Sequence, residues 1–297
     1  MPTPQPKPSK VVHEIVDPRW IVSALAAMLT LCVLCAYVAV CALFYRGQWQ
    51  LVLQPSRTVS QTPASIGLPF TEVHFGVDAT GQPQLDGWWI PGDSPSDPTA
   101  LILHSGYGSI SDALPDARIL HDAQLNVLLF DYRGYGRSGG QHPTQQLMQA
   151  DAESALRYLT EIRSIPTSQI VIFGRFLGAS LAIQLCADHK DIPALILEQP
   201  QGDSEPFVKM DSRSRMVPVH LLLNQTFPLA VPLHTLPTPK LLISWQDDKY
   251  PIDPRQAADP KMTVEFGPGP AGNVHNAIRR FLDTYLTQAP ATLSPTP

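Results

Sequence analysis

Residues 169–185 read QIVIFGRFLGASLAIQL and contain the pattern that decides the fold. The apolar run 169–173 indicates a strand covered on both faces, and LGASLAIQL predicts a helix directly after it. Between them, Gly174-Arg175-Phe176-Leu177-Gly178 has the glycine spacing of the G-x-S-x-G strand–turn–helix motif, where glycines permit a sharp turn and close approach. The central position holds Phe176, whose ring has no lone pair for attack and no proton to give a base, so it cannot act as a nucleophile.

The same alternation of short apolar runs and helical stretches extends to both sides of this turn. The predicted strands are 71–77, 84–90, 100–104, 126–130, 169–173, 194–198, 240–244 and 262–266. The predicted helices are 111–122, 144–162, 177–189, a short one after Asp253, and 274–287. Consecutive strands at the start and strict strand–helix alternation afterwards predict an α/β fold, a doubly wound, mostly parallel sheet with an antiparallel N-terminal edge.

One interval, residues 199–239, interrupts the alternation with seven prolines among apolar residues. In an open α/β sheet, an insertion after a strand lies over the carboxyl ends of the strands, where ligands bind. Two interpretations remain open, a small lid over a binding site and a plain surface excursion.

Residues 20–45, WIVSALAAMLTLCVLCAYVAVCALFY, carry no charged side chain. At about 1.5 Å per helical residue, the segment is long enough for a hydrocarbon core of about 30 Å and predicts one transmembrane signal anchor. A cleaved signal peptide is the alternative, but this run is longer than an ordinary apolar signal core. Lys7, Lys10 and Arg19 before the span, against Arg46 and Arg57 after it, favour a cytoplasmic N-terminus and a domain on the outer, periplasmic or extracellular, side.

The chain ends are rich in proline, so residues 1–19 and 289–297 are predicted to be disordered tails. Residues 46–288 then form one domain. The chain has 297 residues, 44% of them hydrophobic, and a net charge of -5, which supports a folded core and excludes the basic surface that nucleic-acid binding needs. Three of four cysteines lie in the span, so no disulfide can form within the domain. We find no metal-ligand motif and expect no cofactor.

Several motifs together carry a family resemblance that runs from about residue 51 to residue 286. LQPSRT begins at Leu53, DGWWIPG at Asp86 and FDYRGYGRSGG at Phe130, followed by the GRFLGAS turn. The chain resembles the α/β-hydrolase superfamily, in the membrane-anchored branch related to monoacylglycerol lipases and serine aminopeptidases. The resemblance implies hydrolytic chemistry by a serine, an acid and a histidine in that chain order.

The resemblance also assigns candidate site residues. The acid corresponds to Asp247, four residues before a proline, with Asp248 and the more remote Glu198 as alternatives. The general base corresponds to His275. The oxyanion hole would use the backbone N–H of Leu177 and a second N–H from the turn after His104, at Ser105 or Gly106.

Because Phe176 replaces the nucleophile, we expect a catalytically impaired relative that binds an acyl, ester or peptide ligand, or a protein partner. The ring should plug or reshape the pocket. Two alternatives remain. The first is an active ester or amide hydrolase, which requires either an unconventional nucleophile or an erroneous residue at 176. The second is direct activation of water by Asp247 and His275.

The loop around Ser138 matches two motifs by letter alone. Residues 136–140 fit G-x-S-x-G, and residues 134–139 fit the G-x-G-x-x-G of dinucleotide sites. Neither has the strand and helix placed as the motif requires, so a turn is the expected structure.

Overall fold

The computed structural model describes residues 18–248, 253–267 and 273–286. Their strands are β1 (Gln54–Pro55), β2 (Thr71–Val77), β3 (Pro83–Ile90), β4 (Thr99–Leu103), β5 (Tyr107–Gly108), β6 (Asn126–Phe130), β7 (Ile170–Arg175), β8 (Ala194–Glu198), β9 (Lys240–Trp245) and β10 (Lys261–Phe266). Their α-helices are α1 (Pro18–Gly47), α2 (Trp49–Val52), α3 (Leu114–Asp122), α4 (Gln145–Arg157), α5 (Gly178–Asp188), α6 (Glu205–Met210), α7 (Val219–Leu222), α8 (Ala230–Thr235) and α9 (Val274–Tyr285).

Eight strands form one sheet in the order β10-β9-β8-β7-β4-β6-β3-β2. The β2–β3 and β3–β6 pairs are antiparallel and the other pairs are parallel. The predicted α/β fold with its antiparallel N-terminal edge is confirmed. A separate two-stranded ribbon, β1 with β5, holds the chain after the first helices against the loop that follows β4.

The order of the strands decides where the site lies. From β4 the chain proceeds to β6 on one side, whereas β7 lies on the other side of β4. The connections after β4 and β7 therefore diverge at the topological switch point, where open α/β sheets bind ligands. Candidate residues from the two halves of the chain, Gly106 and Leu177, meet here.

Two hydrophobic layers cover the sheet, and alternate side chains of each strand serve one layer or the other. In β4, Leu101 and Leu103 pack into the layer beneath α4 and α5, while Ala100 and Ile102 pack into the layer beneath α3 and α9. Helix α4 continues through a π-helical turn over Tyr158–Ile162, so the predicted helix 144–162 is one element with a local bulge.

Helix α1 is, among the described residues, the one helix long and apolar enough to cross a membrane. It contains the predicted span 20–45 and extends two residues beyond each end. Its side chains are exposed except near the C-terminal end, where Phe44 is buried against the domain. The predicted tail 289–297 and all but the last two residues of the predicted tail 1–19 lie outside the described residues, as does Thr287 at the end of the last predicted helix.

Residues 199–239 connect β8 to β9 and contain α6, α7, α8 and a short 3-10 turn at Ser212–Ser214. The start of the insertion contacts the turn after β7, because the backbone N–H of Gln201 donates to the carbonyl of Phe176 at 3.0 Å. It also covers α5, where the Ser180 hydroxyl donates to the carbonyl of Pro228 at 2.8 Å. The role of this segment as a lid stays a prediction.

Candidate active site

Phe176 lies at the tip of the turn between β7 and α5, with a φ of 49°. Non-glycine residues rarely adopt this left-handed region, and holding one there costs about 1–3 kcal/mol. No side chain fits at the glycine two residues before or two residues after Phe176. A Cβ on Gly178 would lie 2.0 Å from the carbonyl oxygen of Leu103, and one on Gly174 would lie 2.7 Å from Ala179 Cα. The turn is therefore held in shape by close backbone packing.

The turn is also anchored by hydrogen bonds at its strained residue. The backbone N–H of Phe176 donates to the carbonyl of Glu198 at 3.3 Å, and its carbonyl accepts from Ala179 at 3.1 Å. Its half-buried ring lies 5.0 Å from the guanidinium carbon of Arg175. These contacts fix Phe176 between β8, the start of α5 and the insertion.

The two predicted oxyanion segments are brought together. A Cβ on Gly106 would lie 2.7 Å from the side chain of Leu177, so the loop after β4 touches the start of α5. Among the described residues, no hydrogen bond takes the backbone N–H of either Gly106 or Leu177. The Ser105 hydroxyl instead bonds to the Tyr107 carbonyl at 3.1 Å. The oxyanion role of these three residues stays a prediction.

His104 stabilises the loop that carries Ser105 and Gly106. The side chain is fully buried, and burial lowers its pKa to about 4, so the ring is neutral. Its Nδ1 lies 2.7 Å from the Ser105 carbonyl and donates to it, while the ring packs against Tyr132 with 4.5 Å between centroids and a tilt of 40°. His104 is thus a structural support for the loop.

The predicted acid and base are not paired in the structure. Asp247 is exposed after the end of β9, and His275 is half-buried in the first turn of α9. Within the described ranges, neither side chain makes a hydrogen bond or an ion pair. Residues 249–252 and 268–272, which flank them, lie outside those ranges. Their assignment as acid and base stays a prediction.

Asp248, the first alternative acid, is held in place by its neighbours. Its carboxylate accepts from the backbone N–H of Trp245 at 2.9 Å and from the side-chain amide of Gln199. These bonds tie the end of β9 to the start of the insertion. In this arrangement Asp248 acts as a turn residue.

A buried charged cluster behind the turn was missed by sequence reasoning. Arg175 Nη1 lies 2.9 Å from Asp116 Oδ1, and the Asp116 side chain is 3% exposed. Burial raises the pKa of Asp116 and that of Glu198, and the charge of Arg175 opposes both shifts. The sequence signal that could have revealed the cluster is the charge of Arg175 inside an otherwise apolar strand and turn. Its partner Asp116 could not be identified from the sequence, because the two residues are far apart along the chain.

A cavity of about 270 Å³ opens beside the turn. Its wall includes Phe176, Arg175, Asp116, His104, Ser105 and Tyr107. Neither Asp247 nor His275 is among the described lining residues. The cavity therefore borders the candidate oxyanion loop and the phenyl ring, and the ring forms a wall of it.

Ser138 is an unsuitable nucleophile. It is fully buried, its hydroxyl donates to the Asp131 carbonyl at 2.5 Å, and it accepts from the Asp86 backbone N–H at 2.9 Å. Gly134 and Gly136 both have positive φ, as the expected turn requires. The described residues contain no group of three histidine, cysteine, aspartate or glutamate side chains placed for a metal ion.

The sequence model of the family described as serine aminopeptidase, S33, matches residues 96–287, more than half of the chain. The chain belongs to this family of α/β hydrolases. The match includes the turn at Phe176, the loop after β4, the insertion and the positions of Asp247 and His275.

Curated relatives of this S33 family member include proteins from fungi, bacteria and plants. It is 34% identical to protein bem46 of Schizosaccharomyces pombe over 49% of each chain. It is 30% identical to the uncharacterized protein Rv2307c of Mycobacterium tuberculosis over 82% of this chain and 93% of that one. It is 34% identical to the α/β hydrolase domain-containing protein WAV2 of Arabidopsis thaliana over 54% of each. The matched part thus spans about half of bem46 and WAV2.

Solved structures show the same fold. The esterase Pf2001 of Pyrococcus furiosus superposes with a TM-score of 0.62 at 20% identity, covering 79% of this chain and 98% of that one. The α/β hydrolase GrgF of Penicillium has a TM-score of 0.58 at 16% identity, covering 74% and 100%. These likenesses establish the architecture of the S33 domain.

The turn geometry predicts that Gly178→Ala destabilises the domain. The new methyl group would overlap the carbonyl oxygens of Leu103 and His104, so α5 must move away from β4. We expect a loss of about 1–3 kcal/mol or more in the free energy of unfolding, measured by urea titration in detergent micelles. Gly47→Ala is the matched control, since nothing lies within 4 Å of its added Cβ. Equal stability of the two variants would contradict the packing argument.

The charged cluster predicts that Arg175→Met is destabilising in a pH-dependent way. Without the guanidinium, the pKa values of Asp116 and Glu198 rise further above their unfolded values, so the folded state binds more protons than the unfolded state. Stability then falls as pH rises from about 4, and we expect a loss of about 3 kcal/mol at pH 8 that shrinks at pH 5. Urea titrations at the two pH values measure this difference.

Arg137→Met serves as the control for that experiment. Arg137 pairs with Glu72 at 2.7 Å, and both side chains are about half exposed, at 47% and 46%. An exposed pair contributes less than about 1 kcal/mol, so its loss should depend little on pH. A loss for Arg175→Met that is independent of pH would show that packing, and not the charge, is what Arg175 contributes.

Proposed function

We propose that this protein is a membrane-anchored, catalytically impaired relative of the serine hydrolases that binds an acyl-type ligand at the turn after β7. The observation that carries the proposal is Phe176 at a φ of 49° between two glycines that tolerate no Cβ. This is the backbone geometry that presents a nucleophile in α/β hydrolases, occupied by a side chain without nucleophilic chemistry.

The proposed ligand class follows from the two backbone N–H groups beside the turn. The N–H groups of Gly106 and Leu177 lie on adjoining segments and bond to no other described residue. Two such donors suit the carbonyl oxygen of an ester, thioester or amide, and without a nucleophile they would hold the carbonyl intact. The Phe176 ring offers an apolar surface for the adjacent part of an acyl chain. A peptide carbonyl is compatible with the same donors.

The anchor is assigned to α1, whose residues 20–45 contain no charge. We place its N-terminus in the cytoplasm and the domain on the outer side, because the basic residues before the span slightly outweigh those after it. The insertion 199–239 is proposed as the lid over the ligand, supported by its hydrogen bonds to Phe176 and to α5.

Activity-based labelling of the full chain in detergent tests the loss of catalysis. We expect wild type and Phe176→Ala to be inert toward a fluorophosphonate probe and a short-chain p-nitrophenyl ester. Phe176→Ser should react with the probe, because the hydroxyl is restored on a turn already shaped to present it. The added variant Phe176→Ser with His275→Ala should lose this reactivity.

Each outcome of that experiment discriminates between mechanisms. Labelling of the wild type would overturn the proposal and favour the alternative, an active ester or amide hydrolase with an unconventional nucleophile. An inert Phe176→Ser variant would leave the impairment standing but would reject Asp247 and His275 as a competent acid and base.

Ligand binding is tested by comparing two amphiphiles of equal chain length. A monoacylglycerol ester has a carbonyl for the Gly106 and Leu177 donors, and the matching alkyl glycerol ether does not. We expect the ester to raise the Tm of the wild type more than the ether, since at equal concentration the ligand that binds the folded state more tightly stabilises it more. Equal shifts would show that the carbonyl is not recognised and would reject the proposed ligand geometry.

A further inference from the structure

Three large apolar side chains of the insertion are exposed around α6 and α7. Met210 at the end of α6 is 70% exposed, Met216 before α7 is 72% exposed, and Leu221 within α7 is 73% exposed. Burial of each of these side chains away from water would be favourable in free energy. A surface with three such residues in twelve positions indicates contact with something apolar. We refer to residues 205–222 as the α6–α7 surface.

The α6–α7 surface is attached to the end of the apolar helix. Helix α7 contacts α1, and α6 contacts α2. The buried side chain of Gln48, directly after α1, donates to the Leu222 carbonyl at 3.1 Å and accepts from the Asn224 backbone N–H at 2.7 Å. Phe44 adds an apolar contact one turn earlier. The position of the surface relative to the end of α1 is therefore fixed.

Charge around these apolar residues has the pattern of a membrane interface. The cations Arg46, Lys209, Arg213 and Arg215 stand against two acids, Glu205 and Asp211. Lys209 and Arg213 pair with those acids at the surface, where such pairs are weak and can be exchanged for lipid phosphates. Apolar side chains beside an excess of exposed cations suit the headgroup region of an anionic bilayer.

We infer that the α6–α7 surface rests on the lipid bilayer, with Met210, Met216 and Leu221 inserted at the boundary between headgroups and acyl chains. The inference rests on the proposed anchoring by α1, because a helix that leaves the membrane at residue 47 brings the attached α7 to the membrane surface. The insertion also bonds to Phe176 through Gln201. The lid over the candidate site is then in contact with the phase in which acyl ligands are dissolved.

Site-specific fluorescence in the full chain tests this contact. Cys32, Cys35 and Cys41 are changed to alanine, and the buried Cys186 is kept. Single substitutions Met210→Cys, Met216→Cys and Leu221→Cys are labelled with NBD and reconstituted in phosphatidylcholine–phosphatidylglycerol vesicles. We expect doxyl-lipid quenching at these positions to exceed that of the control by about twofold or more.

Ile162→Cys is the matched control, because Ile162 is equally exposed, at 70%, at the end of the π-helical turn after α4. Quenching at 210, 216 and 221 no greater than at 162 would overturn the inference. Protection of the labels in detergent that depends on protein concentration would also overturn it, in favour of a second copy of the chain as the occupant.

Carbonate extraction of the same vesicles separates the two levels of the argument. If the chain resists extraction but shows no lipid quenching at the α6–α7 surface, the anchoring by α1 stands and the membrane contact of that surface is rejected. If carbonate removes the chain from the vesicles, both proposals are rejected.

Discussion

The close approach of α5 to the end of β4 is the constraint on which the rest of the site depends. Gly178 lies so near the Leu103 carbonyl that no side chain fits between them. This contact directs α5 away from β7 at a sharp angle, and the connecting residue must then adopt a left-handed backbone. It also brings Leu177 against Gly106, so the two candidate oxyanion donors and the cavity follow from a single packing requirement.

This dependence explains why much of the architecture was predictable from sequence. Short apolar strands covered on both faces leave a clear signal, and Thr71–Val77, Asn126–Phe130 and Ala194–Glu198 have the predicted bounds. The glycine spacing of 174 and 178 similarly predicts the turn, because steric exclusion acts within five residues. Local chemistry of this kind determines local geometry.

Contacts between remote segments left no comparable signal. Arg175 pairs with Asp116, 59 residues away, and Gln48 binds α7 across more than 170 residues. Neither pairing follows from periodicity or a motif, because each depends on how separate elements come together in space. The choice between Asp247 and Asp248 is of the same kind. Asp248 is occupied by hydrogen bonds to Trp245 and Gln199, whereas Asp247 is exposed. From the sequence, Asp247 is preferred over Asp248 only by its spacing from the following proline, and the hydrogen bonds of Asp248 leave no signal there.

The turn retains its shape without a nucleophile because its neighbours need that shape. Phe176 bonds through its backbone to Glu198, to Gln201 and to Ala179, which belong to β8, the insertion and α5. Relaxing the strained residue would disturb all three elements, and a cost of about 1–3 kcal/mol is smaller than the loss of several buried hydrogen bonds. The structural role of this residue therefore lies in its backbone and does not need a hydroxyl on its side chain. The same contacts connect the turn to the insertion that carries the α6–α7 surface, so a change in backbone at the turn would reach the region beside the apolar helix.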